Sequence, residues 1–268
     1  MGHSMRQRYL LMHQEDKKKP LRYRHLFGEP YNTIKEGQFM KQLRVLLAFV
    51  VVVVFAGLAF AGSSGDESLK MLMDGNSRFA SGKPLMKDIS DAKRKDLCLG
   101  QKPFAIVLTC SDSRVPPEIL FDQCLGDIFV VRVAGNVVDK IELGSIEYGA
   151  EHLNSPLLFI LGHSKCGAVK ATLGTKGEPE GNIGEIVKKI QPAADAAKKK
   201  GGSEDQILET AIQENVKNVY NDVMTKSTII PHLAQEGKLK IVAGEYKLDS
   251  GKIDMIELPK MAEGHKSH

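Results

Sequence analysis

Two short clusters of side chains in this chain could hold a metal ion. The first, CSDSR at 110–114, offers a thiolate and a carboxylate two residues apart. The second, HSKC at 163–166, offers an imidazole and a thiolate three residues apart, so that one turn of chain can present both to one point. Zinc binds these side chains, with four protein ligands in structural sites and three plus water in catalytic ones. The clusters therefore predict a zinc site of either kind.

The arginine of the first cluster bears on which kind of site this is. Arg114 lies two residues beyond Asp112, and a guanidinium can hold a carboxylate with two parallel hydrogen bonds. An aspartate held in this way is oriented and keeps its charge, but it is a poorer metal ligand. If Asp112 is held, zinc keeps the three protein ligands Cys110, His163 and Cys166 and admits water. If Asp112 is released, it can become the fourth ligand and close the site.

The elements that must position these clusters alternate between strands and helices. Continuous apolar runs of this length are typical of buried parallel strands, and the two clusters follow the first and the third of them. The alternation predicts an α/β fold with a mostly parallel central sheet flanked by helices, and in such sheets sites form at the carboxyl ends of strands. The predicted strands are 104–109, 127–133, 156–162, 238–243 and 252–257, and the predicted helices are 66–82 (weakened by Gly75), 90–100, a short one from Pro116, 139–153, 166–173, 183–200, 205–225 and 228–236.

The first 61 residues differ from the rest of the chain. Residues 1–39 are basic and suggest no packed fold, whereas 40–61 contain an uncharged apolar run after Lys41 and Arg44 that ends in Ala59-Phe60-Ala61. Read from Met40, this is a signal peptide with a small-x-small cleavage site; read from Met1, it is also consistent with a signal anchor. Both interpretations export residues 62–268, and we expect a periplasmic location. Only an uncleaved anchor would attach the protein to the membrane.

The charge of the chain is equally uneven. The formal net charge is +4, but the residues before Val45 contain ten Lys or Arg and four acids, which leaves 27 bases and 29 acids for the remainder. No basic face for a nucleic-acid partner is therefore expected on the folded part. The two cysteines outside the clusters, Cys98 and Cys124, are expected either to pair in a disulfide or to be buried thiols.

The two clusters also carry a family resemblance. CSDSR followed some fifty residues later by HSKCG resembles the β-class carbonic anhydrases, and the likeness extends over roughly residues 66–258. The resemblance implies a β-carbonic anhydrase-like domain with one Zn²⁺ per subunit. It implies that Cys110, His163 and Cys166 are the permanent zinc ligands and that Asp112 and Arg114 are the catalytic pair.

The resemblance also implies a substrate pocket. Gln101, Phe129 and Tyr148 fall at the spacings of the substrate-binding residues in the plant-like subgroup with an open zinc site, where they line a cleft at a dimer interface. The bicarbonate-regulated subgroup has Trp just before CSDSR; this chain has no Trp, and Val107 stands there. We therefore expect an open site in a homodimer or higher homo-oligomer, with residues 66–100 supplying an N-terminal arm.

The implied activity is the reversible hydration of CO2 to bicarbonate and a proton by attack of a zinc-bound hydroxide. Asp112 would orient the hydroxide, and Gln101 would donate a hydrogen bond to the developing bicarbonate. His232 is a proton-shuttle candidate by residue type alone, and an ordinary histidine on a helix surface is the simpler interpretation.

Three other functions stay open from the sequence. The first is hydrolysis of carbonyl sulfide or carbon disulfide on the same scaffold. The second is a non-catalytic exported zinc-binding domain with a closed shell that includes Asp112. The third is a thiol enzyme with Cys110 as nucleophile and His163 as base.

Overall fold

The computed structural model of this 268-residue chain describes residues 41, 64–177, 179 and 181–259. The predicted basic extension and the predicted signal peptide or anchor lie outside the described residues, except for Lys41, and stay predictions. Within the described ranges, no helix combines the length and the apolar character needed to cross a membrane.

A five-stranded sheet forms the centre of the described domain, as the alternation of elements predicts. Its order is β2-β1-β3-β4-β5, and every neighbouring pair is parallel except the hairpin of β4 and β5, which is antiparallel. The apolar runs of the sequence lie in the inner strands, since every residue of β1 and β3 is buried. The strands are β1 Ala105–Thr109, β2 Ile128–Arg132, β3 Leu157–His163, β4 Lys240–Tyr246 and β5 Ile253–Ile256.

Helices cover both faces of this sheet, and most begin within a residue or two of the predicted positions. The predicted helix over 139–153 is divided, because Tyr148–His152 forms a π-helical turn. The helices are α1 Gly65–Ala80, α2 Asp91–Leu97, α3 Pro117–Leu120, α4 Lys140–Glu147, α5 Gly167–Gly174, α6 Ile183–Lys200, α7 Glu204–Lys226 and α8 Ile229–Gln235, with a 3₁₀ turn at Ala134–Asn136.

Alternate residues of the inner strands pack on opposite faces of the sheet, because successive side chains of a strand point in opposite directions. Ile106 and Leu108 of β1 pack with α4 and α7 on one face. Val107, between them, packs with Leu72 of α1 on the other face. A third apolar cluster, drawn from α5, α6 and α7, surrounds the cysteines at 110 and 166.

Helix α1 approaches the backbone at the end of α3 so closely that the contact requires a glycine. A Cβ atom built on Gly75 would lie 1.8 Å from the carbonyl oxygen of Phe121. The neighbouring Asn76 is buried and donates to the carbonyls of Leu120 and Gly251, while its own oxygen accepts from the amide of Ile253. The sequence suggested that Gly75 only weakens this helix; in the structure it is the point where the helix backbone meets the domain.

Neither expectation for Cys98 holds. Both Cys98 and Cys124 are free thiols, so they do not form a disulfide. Cys98 is exposed near the end of α2, and Cys124 is half-buried, with its thiol donating to the carbonyl oxygen of Asp88 at 3.1 Å. Helix α2 has no buried residue, which explains why the thiol that follows it stays in solvent.

Candidate metal centre

Three ligand atoms converge at the carboxyl ends of β1 and β3. Cys110 directly follows β1, His163 is the last residue of β3, and Cys166 caps the start of α5. The two strands are adjacent and parallel, with Thr109 opposite Leu161, so the residues that follow them come together. The two sulfur atoms and an imidazole nitrogen all lie within 4.8 Å of one another, and all three residues are buried.

The imidazole of His163 is oriented for a metal. Its Nδ1 lies 3.0 Å from the carbonyl oxygen of Ser164. A carbonyl can only accept, so Nδ1 carries the proton and Nε2 presents a lone pair. Nε2 is buried and has no hydrogen-bond partner among the described residues. A buried nitrogen without a partner, beside two thiols and held by a bond on its other nitrogen, fits a resident metal ion.

The two thiols share their protons unequally. The hydrogen bond from the Cys166 thiol lowers the pKa of Cys110, and the backbone amides of Asp112 and Gly135 lower this pKa further. The same contact with Cys110 raises the pKa of Cys166, because a thiol next to a thiolate resists losing its own proton. One thiolate is therefore ready in the folded chain, and a cation would supply the charge that the second needs.

The carboxylate of Asp112 is held by Arg114, as the sequence suggested. Arg114 donates from Nε to Oδ1 at 2.9 Å and from Nη2 to Oδ2 at 2.7 Å, and its backbone amide also donates to Oδ1. These bonds lower the pKa of Asp112 well below its usual range, chiefly through the side-chain bond to Arg114. Oδ2 lies 3.9 Å from Nε2 of His163. The carboxylate is thus beside the ligand atoms, charged and already engaged.

A second arginine, which neither cluster motif contains, fixes the loop that carries these groups. Arg132 ends β2 and pairs in register with Thr109, the residue before Cys110. Its Nε donates to the carbonyl of Cys110 at 3.0 Å and its Nη2 to the carbonyl of Asp112 at 2.7 Å. The signal that could have revealed it is an arginine at the carboxyl end of the strand predicted beside the first cluster.

The 3₁₀ turn that follows β2 contains Gly135 and Asn136. In the structure the amide of Gly135 donates to Sγ of Cys110 at 3.2 Å. The sequence offered no signal for this contact beyond a glycine after a strand, because the donor is a backbone group.

The three residues predicted to bind substrate lie away from the metal ligands within one chain. Phe129 and Tyr148 are neighbours, with ring centroids 6.1 Å apart. Phe129 pairs with Ile106, four residues before Cys110, which corresponds to about 13 Å along a strand. Gln101 is exposed and precedes β1, in a groove beside Leu97 and Asp127. The chain does not bring them together with Cys110, and their substrate role stays a prediction.

The proton-shuttle candidate is also distant. His232 is exposed on α8, which leads into the amino end of β4, whereas the ligands follow the carboxyl ends of β1 and β3. It lies in a groove of about 700 Å³ with Glu151 and Glu236. The simpler expectation of a histidine on a helix surface describes it better than a role at the metal centre.

The comparisons with known proteins agree with this fold. A sequence profile described as carbonic anhydrase matches residues 105–253. The carbonic anhydrase of Mycolicibacterium smegmatis is 41% identical over 189 residues, which covers 69% of this chain and 90% of that protein. Carbonic anhydrase 2 of Mycobacterium tuberculosis is 41% identical over 186 residues, covering 68% and 88%.

Solved structures of β-carbonic anhydrases are similar to this chain in fold. A β-carbonic anhydrase of Coccomyxa superposes with a TM-score of 0.57 at 26% identity, covering 69% of this chain and 84% of that one. A tetrameric β-carbonic anhydrase of Sordaria macrospora gives 0.56 at 26% identity, covering 60% and 84%.

The chain combines a parallel-centred α/β fold with a buried Cys-His-Cys cluster at its strand ends that could hold a metal ion. This chain belongs to the carbonic anhydrase family and is an enzyme of its β class.

Proposed function

We propose that the chain catalyses the zinc-dependent, reversible hydration of CO2 to bicarbonate and a proton at an open site. One zinc ion would be held by Cys110, His163 and Cys166, whose ligand atoms lie within 4.8 Å of one another. When bound, zinc supplies the Lewis acidity that makes water a nucleophile near neutral pH. The observation that carries the proposal is that Arg114 engages the carboxylate of Asp112, so this carboxylate would be free to orient water and not be needed as a fourth ligand.

Side chains of this chain would orient the attacking water and shield the sulfur atoms from bulk solvent. Asp112, kept ionised by Arg114, can accept a hydrogen bond from the attacking water and orient it toward the substrate. Its backbone is held by Arg132, so the carboxylate starts from a fixed position. The apolar cluster around the cysteines keeps bulk water from the buried sulfur atoms.

We also propose that a second copy of the chain completes the substrate pocket. Gln101, Phe129 and Tyr148 lie toward the amino ends of the strands, whereas the ligands lie at the carboxyl ends. A neighbouring subunit could present these side chains to the metal centre where the same chain cannot. Support comes from the tetrameric relative in Sordaria macrospora and from large apolar side chains that are exposed on the arm before β1, namely Leu85, Met86, Ile89 and Leu99.

Export remains part of the proposal. Its support is the uncharged run within 40–61, the bases before it and the Ala59-Phe60-Ala61 pattern.

A combined measurement of metal content and CO2 hydration tests the proposal. The enzyme should contain one zinc per chain and hydrate CO2, and Cys166→Ser should lose both. Cys98→Ser, which changes an exposed thiol outside the cluster, should lose neither. A parent enzyme that holds zinc but shows no hydration at any pH from neutral to alkaline would refute the proposal, as would a Cys166→Ser variant with full zinc and activity. Assays with carbonyl sulfide and carbon disulfide would show whether the site prefers those substrates.

A further inference from the structure

The turn after β2 brings a backbone donor against one of the metal-binding sulfurs. Gly135 has a φ of 70°, in the region that favours glycine, and its amide donates to Sγ of Cys110 at 3.2 Å. A Cβ atom at this position would lie 2.6 Å from Cδ1 of Ile190 and 3.3 Å from Cβ of Ala168. The turn is therefore enclosed by α5 and α6, and any side chain at position 135 would be strained by the positive φ and crowded by these neighbours.

A buried side chain on α7 fixes this turn from the other side. Asn215 is 1% exposed, and its Nδ2 donates to the carbonyl oxygen of Gly135 at 2.8 Å. The amide and the carbonyl of Gly135 are attached to the same Cα atom. A bond that holds the carbonyl therefore limits rotation about that atom and keeps the amide directed at Cys110.

The side chain of Asn215 leaves one of its polar atoms without a hydrogen bond in the described part of the chain, which packing alone does not explain. A carbonyl can only accept, so the amide nitrogen of Asn215 must face Gly135. Its Oδ1 is then left buried without a hydrogen-bond partner among the described residues. An unpaired buried oxygen destabilises a fold. A leucine of similar size would avoid this oxygen, but it would leave the carbonyl oxygen of Gly135 without the hydrogen bond from Asn215. The presence of asparagine at this position therefore points to the bond that its nitrogen makes.

That bond has a chemical consequence at the sulfur. An amide that donates to a thiolate withdraws electron density from it, and the amide of Gly135 is in position to do so, 3.2 Å from Sγ of Cys110. A thiolate with less electron density donates less to a metal ion. Two thiolates already neutralise a divalent cation, so any reduction of their donation leaves the metal a stronger Lewis acid.

We propose that Asn215 is a positioning residue that tunes the metal centre through the Gly135 amide and the Cys110 sulfur. The proposal rests on the proposed function and deepens it, because it names a residue on α7 that acts on the metal without touching it.

Cobalt-substituted enzyme provides a test that is independent of activity. Asn215→Leu removes the donor at similar volume, and the sulfur-to-cobalt charge-transfer band should move to longer wavelength because the thiolate becomes more electron-rich. In the zinc enzyme, the same variant should hydrate CO2 about 10–100-fold more slowly. Asn215→Gln keeps an amide donor, and its band should lie closer to that of the parent than the leucine variant's does.

Val219→Ala is the matched control. Val219 is buried on the same helix, so the substitution loosens the packing of α7 without removing a bond to Gly135. Its cobalt band should match that of the parent. An unchanged band in Asn215→Leu, or an equal shift in Val219→Ala, would overturn the proposal.

A measurement on the unaltered protein covers the case in which Asn215→Leu fails to fold. Cadmium in place of zinc should show a scalar coupling between the metal nucleus and the amide proton of Gly135 through the hydrogen-bonded sulfur. The absence of this coupling would show that the Gly135 amide does not donate to the metal-bound sulfur, and it would overturn the proposal. If no protein in the series hydrates CO2, the proposed function fails, yet the cobalt band and the cadmium coupling still decide the role of Asn215.

Discussion

The difference between an open and a closed metal centre comes down to one carboxylate. Oδ2 of Asp112 lies 3.9 Å from Nε2 of His163, so a modest movement of the side chain would bring it onto a metal held there. Arg114 opposes that movement with two side-chain bonds, and the lowered pKa of Asp112 keeps the pair charged. Exposed ion pairs contribute little to stability, so the value of this one is in orientation.

Arg132 provides the first prediction, also at the scale of residues. Arg132→Met removes both donors to the backbone carbonyls of Cys110 and Asp112, and zinc should be lost to a competing chelator at about tenfold lower chelator concentration than in the parent. The lysine in Arg132→Lys can reach only one carbonyl at a time, so this variant should lose zinc at a chelator concentration between those for Arg132→Met and the parent. Lys140→Met, at another exposed cation, is the control. Equal zinc retention in Arg132→Met and the parent would show that the loop holds itself.

The elements show what the sequence could and could not predict. The buried strands and their order of alternation with helices were predictable, because apolar runs such as 156–162 have no alternative to burial. The convergence of Cys110 with His163 followed from two clusters after parallel strands. Three contacts were not predictable, because each joins a backbone group to a residue far along the chain. They are the contact of α1 with Phe121, the hydrogen bond from the Gly135 amide to Cys110, and the hydrogen bond from Asn215 to the Gly135 carbonyl.

A pair of glycine substitutions gives a prediction on helix packing. Gly75→Ala places a methyl group 1.8 Å from a backbone oxygen, so α1 must move, and the free energy of unfolding should fall by about 3 kcal/mol. Gly144→Ala, in α4, meets nothing within 4 Å and should raise the free energy of unfolding by about 0.5–1 kcal/mol. Urea unfolding of the zinc enzyme measures both. Changes of the same sign in the two variants would contradict this account of α1.

The contact between β4 and α7 contains a buried carboxyl group. Glu245 is 1% exposed, and burial raises its pKa to about 7 although Lys247 lies 2.9 Å from its Oε2. Glu209 also pairs with Lys247, Gln213 donates to Glu245, and Asp254 is its partner on β5. Between pH 4.5 and 7, the folded protein therefore holds a proton that the unfolded chain has released, so stability falls as pH rises through this window.

Glu245→Gln tests this assignment. The parent should lose about 3 kcal/mol of unfolding free energy relative to the variant between pH 4.5 and pH 8, because the variant has no group to ionise at this position. Urea unfolding at several pH values, with the zinc content checked at each, gives the comparison. A difference between the two proteins that does not vary with pH would show that Glu245 titrates as an ordinary glutamate.

At the scale of the whole molecule, the three residues predicted to bind substrate lie near the amino ends of the strands, whereas the predicted metal ligands lie at the carboxyl ends. Gln101 follows the exposed arm that carries Leu99, whereas Cys110 lies beyond the far end of β1. A single chain therefore contains all the parts without assembling them. The family resemblance could suggest pocket residues, but it could not show that one chain keeps them away from the metal ligands, because that depends on the direction of each strand.

The exposed arm gives a prediction on assembly. Met86 and Leu99 are 99% and 89% exposed, and a double Met86→Asp, Leu99→Asp variant should dissociate and lose CO2 hydration together, because each site would lose its neighbour's residues. Ile183→Asp, at an exposed apolar residue at the start of α6, should change neither. Sedimentation and activity measured over the same concentration series provide the test. A dissociated double variant with full activity would show that one chain suffices.

The most direct test of the central claim uses Asp112→Asn with its zinc content measured beside its CO2 hydration. The three ligands Cys110, His163 and Cys166 are untouched in this variant, so zinc should remain at one per chain. The amide of the variant lacks the negative charge that Arg114 holds and that would orient water in the proposed mechanism, so hydration should fall by about 100-fold or more. Hydration at the parent rate with zinc in place would contradict the role of Asp112, and loss of zinc would show that Asp112 is itself a ligand.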